Sequence, residues 1–254
     1  DSFASAMPQG IIIDEKLLNA VVAGQLVSSL LAVSCVTVAF CSNLLMITDK
    51  VNGAICDLTV SPVRRSTLAL GYFISSAAST LIISFSALTV GLFYVYTQGW
   101  YMSLGDVMYL VLDVFLLTLF GTALSSCVNF SLTTNGQASA VGTIVSAGYG
   151  FLCGAYMPIS QFGSGLQKVL LFLPGTYGTS LIRNHAMAGT FREMESIGFP
   201  KAAADEMKNA VDCKLFFFEH EVGISTMYLV LAGSIAALIL IYILLNKAVS
   251  RRAK

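Results

Sequence analysis

The run Leu229-Val-Leu-Ala-Gly-Ser-Ile-Ala-Ala-Leu-Ile-Leu-Ile-Tyr-Ile-Leu-Leu245 carries no charge and no alternation of polar with apolar residues. Inside hydrocarbon, such a run satisfies its backbone as a helix, because a membrane β-strand alternates in segments of about ten residues. Begun at Ser225, it reaches the roughly 20 residues that cross a bilayer core. Lys247, Arg251, Arg252 and Lys254 follow at once, the kind of basic cluster that marks the cytoplasmic end of a span.

Working back from this run, four more apolar stretches have the length to cross, at Val21 to Ile47, Leu68 to Val95, Val107 to Phe130 and Ala138 to Met157. The expected fold is therefore an all-α polytopic membrane protein, a single transmembrane domain with spans at 21–47, 68–95, 107–130, 138–157 and 225–245. Composition agrees. Residues of the set AVILMFWYC make up 56% and charged residues 11%, against about 25% charged in a soluble domain. The mean hydropathy is +0.78. An aromatic content of 11% sets the chain apart from disordered sequences, which are poor in such residues.

The charges orient the spans. With 48–67, 131–137 and 246–254 inside, that face holds seven Lys or Arg against two Asp, for net +5. The opposite face holds seven Lys or Arg against eleven Asp or Glu, for net −4, and leaves Asp113 within a span. A cytoplasmic C-terminus in the cell membrane follows from the positive-inside rule. Five spans then place Asp1 outside, and the expectation is that a sixth, earlier span belongs to the full chain; a true five-span protein is the alternative. Four cysteines fall within spans, Cys56 falls in the basic loop, and Cys213 stands alone on the outer face as a candidate contact between chains. No disulfide framework is expected.

The loop 48–67 reads Thr48-Asp-Lys-Val-Asn-Gly-Ala-Ile-Cys-Asp-Leu-Thr-Val-Ser-Pro-Val-Arg-Arg-Ser-Thr67. Asn52-Gly53 is a turn signal, since both residues tolerate positive φ. Ser61-Pro62 starts a helix, with Ser as N-cap and Pro at the first helical position, which puts Arg64 and Arg65 in the first turn of the next span. Between them, Ala54 to Val60 has the length for two turns across the inner face, with Ile55 and Leu58 on one side. The alternative is a loop anchored to headgroups by Arg64 and Arg65.

Asp49-Lys50-x-x-Gly53 followed by Leu58-x-Val60-Ser61-Pro62-Val63-x-Arg65 resembles the loop of type II ATP-binding-cassette exporter permeases. Gly150 to Ser160, with Leu173-Pro174 and Leu181-Ile182-Arg183, is similar to the family's fifth span and outer re-entrant helices. The resemblance implies that Asp49, Lys50, Gly53, Ile55, Cys56, Asp57, Leu58, Ser61, Pro62, Arg64 and Arg65 form a coupling helix docking into a separate ATPase subunit, which binds ATP and Mg. This chain would hold no cofactor and no metal, and would pair with a second permease subunit. Asp49 stands where Glu is more usual, and Lys50 replaces a frequent Arg, without its bidentate geometry.

The outer segment 158–224 contains an apolar stretch, Leu166 to Leu173, of about 12 Å as a helix. That is too short to span, and suits a re-entrant helix. Pro158, Leu173, Pro174 and Arg183 are read as an outer gate or, equally, a packing lid. The region 192–221 is read as a small solvated element, and His185 and His220 as solvated residues. Asp113 is either a polar site within the membrane or a carboxylate reaching the interface beside Tyr109.

No phosphate loop, zinc-protease helix or hydrolase elbow occurs, so the protein is expected to be a transport subunit and no enzyme, with no nucleic-acid partner. A permease exporting an amphiphilic cargo (peptide, lipid-linked or drug-like) is the leading expectation. A proton-coupled secondary transporter using Asp113 is the alternative.

Overall fold

The computed structural model describes residues 15–55, 65–218 and 220–252. Helix α1 spans Glu15–Ser42 and α2 spans Leu44–Val51, separated at Asn43; α3 spans Arg65–Gln98, α4 Leu104–Asn129 and α5 Asn135–Leu152. A 3-10 turn, Ile159–Gln161, leads to α6 (Ser164–Leu170), α7 (Pro174–Ser196) and α8 (Lys201–Ala210). A two-residue hairpin pairs β1 (Phe216–Phe217) with β2 (His220–Glu221), and α9 (Ile224–Arg252) closes the described chain. The architecture is all-α apart from that hairpin.

Among the described residues, four helical segments are long and apolar enough to cross a membrane: Glu15–Val51, Thr67–Gln98, Leu104–Asn129 and Ile224–Ala248. The stretch expected as a span at 138–157 is helical only to Leu152, and is not one of the four. Its first turn, Asn135-Gly136-Gln137, is polar, and Gly154 turns the chain out of the helix with φ +76. The loop expected at 48–67 also starts later, because α2 keeps Thr48, Asp49 and Lys50 helical through Val51.

α1 and α4 form the centre, with 50% of each apolar window buried, against 22% for α3 and 17% for α9. They approach closely through a small residue: a Cβ on Gly121 would lie 3.1 Å from Val36 Cα. Such contacts let membrane helices pack without a hydrophobic driving force between them. The start of α4 is fixed by a capping box, in which Ser103 accepts from the Asp106 amide and Asp106 accepts from the Ser103 amide. Arg192 of α7 ion-pairs with the same Asp106.

The region expected as a solvated outer element is instead well packed. Leu17 and Val21 of α1 share a second apolar cluster with Met187, Phe191 and Met194 of α7 and with Phe199, Ala204 and Met207. Helix α8 is amphipathic, and its apolar side supplies Ala204 and Met207. α7 departs furthest from expectation. It is rich in Thr, Ser, Gly and Asn, yet Gly175 to Arg183 is buried throughout.

Candidate functional site

The residues expected to act lie at two opposite ends of the bundle, with Asp113 between them. At the first end α1 passes into α2 through Asn43, which is 2% exposed. Its Nδ2 donates to Ser125 Oγ at 2.5 Å, to Ser126 Oγ at 2.9 Å and to the Thr122 carbonyl at 3.4 Å. A buried amide held by three acceptors on α4 makes a fixed joint, since any shift would leave a polar group unpaired.

Beyond this joint, α2 is fastened on two sides. Asp49 Oδ2 accepts from the Tyr72 hydroxyl of α3 at 2.7 Å. Lys50 Nζ donates to the carbonyls of Phe130 at 2.9 Å and Leu132 at 3.4 Å, just past the C-terminus of α4. It also sits 5.7 Å from the centre of the Phe130 ring. A cation there satisfies otherwise open carbonyls and complements the helix dipole. Thr48 Oγ1 reaches Asn135 Oδ1 at the start of α5, at 3.4 Å. Asp49 Oδ2 and the Lys50 ammonium therefore make bonds inside this subunit, while both side chains stay partly exposed.

The turn expected at Asn52-Gly53 is present. The Asn52 amide closes α2 on the Thr48 carbonyl at 2.9 Å, and Gly53 takes φ +79. Ala54 and Ile55 are helical, and Ile55 is half-buried. Cys56, Asp57, Leu58, Ser61, Pro62 and Arg64 lie outside the described residues, and of Arg65 only the backbone, as the first residue of α3, is described.

At the other end Arg183 is fully buried, at 0% exposure. Its Nη1 donates to the Val211 carbonyl at 2.9 Å, and its Nη2 to the Gly154 carbonyl at 2.9 Å and to Ser29 Oγ at 3.1 Å. Asp212 Oδ2 stands 3.6 Å from Nη1. The Asp212 carboxylate also accepts from the amides of Ile159 and Ser160. One ion pair thus joins α1, the end of α5, the 3-10 turn, α7 and the segment after α8. Burial outweighs the pairing on both partners: it holds the Asp212 carboxyl above the usual carboxylate range and lowers Arg183. Such a pair specifies position more than it adds stability.

Of the expected gate residues, Arg183 and Pro158 meet around this pair, Pro158 directly preceding Ile159. Leu173 and Pro174 are placed elsewhere, as the N-cap and first residue of α7. Asp212, which the sequence reading did not single out, has φ +56. A short polar side chain tolerates that conformation. Cys213, expected as an exposed contact between chains, is 4% exposed, and burial pushes its thiol up to about 12. Its side chain packs in the apolar cluster of Met187, Phe191 and Met207, and Asn184 Nδ2 donates to its carbonyl at 2.6 Å.

Asp113 is 1% exposed. Its Oδ2 lies 2.6 Å from His185 Nδ1 of α7, and its Oδ1 accepts from the Tyr228 hydroxyl of α9. His185, expected to be solvated, is 8% exposed, with its ring stacked on Tyr109 at 5.1 Å between centres. Its place is set by the buried carboxylate, which needs donors where water is excluded. His220 does lie at an exposed position, in β2. Among the described residues no group of three His, Cys, Asp or Glu side chains could hold a metal ion.

The sequence model of the family described as ABC-2 type transporter matches residues 8–186. The match takes in Asn43, Asp49, Lys50, Gly53, Asp113, Arg183 and His185. No curated protein matches the chain.

Proposed function

The chain belongs to the ABC-2 type transporter family, and from that premise we propose that it is the membrane permease subunit of an exporter powered by separate ATP-binding-cassette ATPase chains. Two permease subunits would make one transporter, and ATP and Mg would be bound by the ATPases alone. The C-terminal Lys247, Arg251, Arg252 and Lys254 support a cytoplasmic end, with α2 on the same side.

The observation that carries this reading is the fastening of α2. A push from below on Asn52 to Ile55 and the residues beyond would not bend a free loop. It would pass through Asp49 to Tyr72 and α3, through Lys50 to the end of α4, and through Asn43 to the middle of α4's last turns. The ATPase contact would fall on the exposed turn after Val51, while Asp49 and Lys50 relay the movement. ATP hydrolysis in the partner chains would supply the energy, and the differing affinity of the ATPases for two arrangements of this segment would carry the coupling.

At the far end, the Arg183–Asp212 ion pair and the short helix α6 would form the outer gate. A proton-driven transporter built on Asp113 has less support, because both its oxygens are already bonded within the protein. The test is co-expression with an ATPase encoded beside this chain. Co-purification and ATP hydrolysis that responds to substitutions between Asp49 and Val60 are expected. If no ATPase associates and no such substitution alters transport, the exporter reading is abandoned.

A further inference from the structure

A polar pocket of about 400 Å³ lies between α7, α8 and the start of α9. Its volume is within the range of ordinary ligand sites, roughly 300–1,000 Å³. Its lining brings together His185 and Arg192 of α7, Lys208 of α8, and Lys214, Glu221 and Ile224. α9 runs for 29 residues, and a helix leaves its first N–H groups unbonded at the positive end of its dipole. The amides of Thr226 and Met227 close on the Gly223 carbonyl, at 2.9 and 3.1 Å. Among the described residues nothing accepts from the amides of Ile224 and Ser225.

A second, independent group without a partner is the imidazole edge of His185, a residue 8% exposed. Its Nδ1 lies 2.6 Å from Asp113 Oδ2, while Asp113 Oδ1 accepts from the Tyr228 hydroxyl. A carboxylate accepting on both oxygens assigns the ring proton to Nδ1 and leaves Nε2 with a lone pair. Nε2 makes no bond among the described residues. Unlike Arg183 Nε, it is not sealed in, and the ring lines the pocket. The ammonium groups also keep donors in hand. Lys208 bonds to Glu195 at 3.0 Å and Lys214 to Asp205 at 2.9 Å, one of three N–H groups each.

We infer that this pocket binds hydrogen phosphate, its bare oxygens accepting from the α9 amides and the two ammonium groups, and its P–OH donating to His185 Nε2. Free amides and ammonium groups at a helix start suit any oxyanion. The lone pair on Nε2 is more selective, since it asks the same ligand for a donor. Sulfate, carboxylates and the phosphodiesters of ordinary phospholipids carry no hydroxyl on the anionic group near neutral pH. Two sources offer the chemistry: phosphate free in solution, or the singly protonated monoester headgroup of a phosphatidate. Glu221 has no ion pair among the described residues and disfavours a second negative charge. The site does not depend on the permease reading, and its occupant would tie α7 to the start of α9.

The test is calorimetric titration of inorganic phosphate into the full chain, held in nanodiscs of dioleoylphosphatidylcholine. At about pH 8 hydrogen phosphate keeps its hydroxyl, and imidazoles in water are neutral. Saturable binding is expected, with sulfate at equal ionic strength much weaker. In His185→Asn the amide can still donate to Asp113, but nothing replaces Nε2. Phosphate should weaken roughly tenfold, the effect of one lost hydrogen bond of ordinary strength, and fall to the level of sulfate. Ile224→Pro removes one amide and spares the helix, because proline is tolerated at the first helical position. It should weaken both anions alike, whereas Glu221→Gln should tighten both.

Absence of saturable binding, equal binding of sulfate, or a phosphate preference that survives in His185→Asn overturns the inference. If His185→Asn does not fold, Ile224→Pro decides, and unchanged affinity there overturns it as well. Nanodiscs that contain phosphatidate separate the two sources. A titration lost in them assigns the pocket to the lipid headgroup, and an unaltered curve assigns it to free phosphate; either supports the site.

Discussion

Asp113 Oδ2 and His185 Nδ1 stand 2.6 Å apart, in a place where the carboxylate is 1% exposed. The pair joins α4 to α7, and the Tyr228 hydroxyl on the other oxygen adds α9. Asp113→Ala leaves an imidazole and a phenol without an acceptor, at about 1–3 kcal/mol for each stranded group. A clear fall in the melting temperature of the purified protein is expected. Asp113→Asn keeps one acceptor oxygen and should retain most transport; if it abolishes transport while the ATPase still cycles, and transport follows an imposed pH gradient, the proton-coupled reading takes over.

Lys50→Glu should harm coupling more than its half-buried position suggests. A carboxylate would then face the carbonyls of Phe130 and Leu132, where the ammonium now donates. Lys50→Arg should be the mildest change, since the donors persist. Comparing ATP hydrolysis per transported molecule across the two variants checks this; equal behaviour of both would show that the bonds to α4 carry no movement.

Gly53→Val places a β-branched residue at φ +79, at a strain of order 1–3 kcal/mol. Transport and cargo-stimulated ATP hydrolysis should decline together, with membrane insertion unchanged. A headgroup anchor at Arg64 and Arg65 predicts indifference at Gly53.

Replacing Arg183 by Met takes from Asp212 the only cation described beside it, and takes the guanidinium donors from the carbonyls of Val211 and Gly154 and from Ser29. Breaking one side of a buried ion pair costs roughly 3–5 kcal/mol. Limited proteolysis should then cut first between residues 153 and 163 or after α8, the segments that the guanidinium holds. Unchanged cleavage would show that the pair does not bind the outer end together.

Cys213 should resist a membrane-impermeant maleimide in the folded protein and react once it is denatured. Only the thiolate reacts, and a buried thiol pushed up to about 12 offers almost none at neutral pH. Topology is better read from Lys201→Cys, at an exposed position. In intact cells it should be labelled while Cys56 is spared, and the reverse pattern would invert the orientation.

The membrane class and four of the long helices were legible because apolar length and charge segregation are properties of contiguous residues. The Asn52-Gly53 turn was legible for the same reason, since positive φ is a local demand. The partners of Asp113 were only half legible. An intramembrane carboxylate calls for a donor, and the chain has two histidines, but nothing local says that His185, 72 residues away, is the one. Arg183 drew notice through its motif, whereas Asp212 sits in a stretch with no periodicity to mark it. The bonds of Lys50 to the end of α4 were not legible either, because nothing local says that its long stem lets the ammonium reach a carbonyl 80 residues away along the chain.

Helix α7 has a consequence for how the protein is made. Its polar composition gives the insertion machinery little to recognise as it emerges, yet it finishes against α1, α4 and α9. Since α9 follows it in the chain, α7 cannot reach its final surroundings until synthesis has almost ended. Until then, Arg183 and His185 can meet Asp212 and Asp113, but the Tyr228 hydroxyl that completes the Asp113 site is missing. Assembly of this chain is therefore ordered by direction of translation: the early helices must hold open a slot, and a truncation before Ile224 removes one wall of that slot along with a span. A quality-control protease would find the unseated α7 exposed in any chain that stalls there.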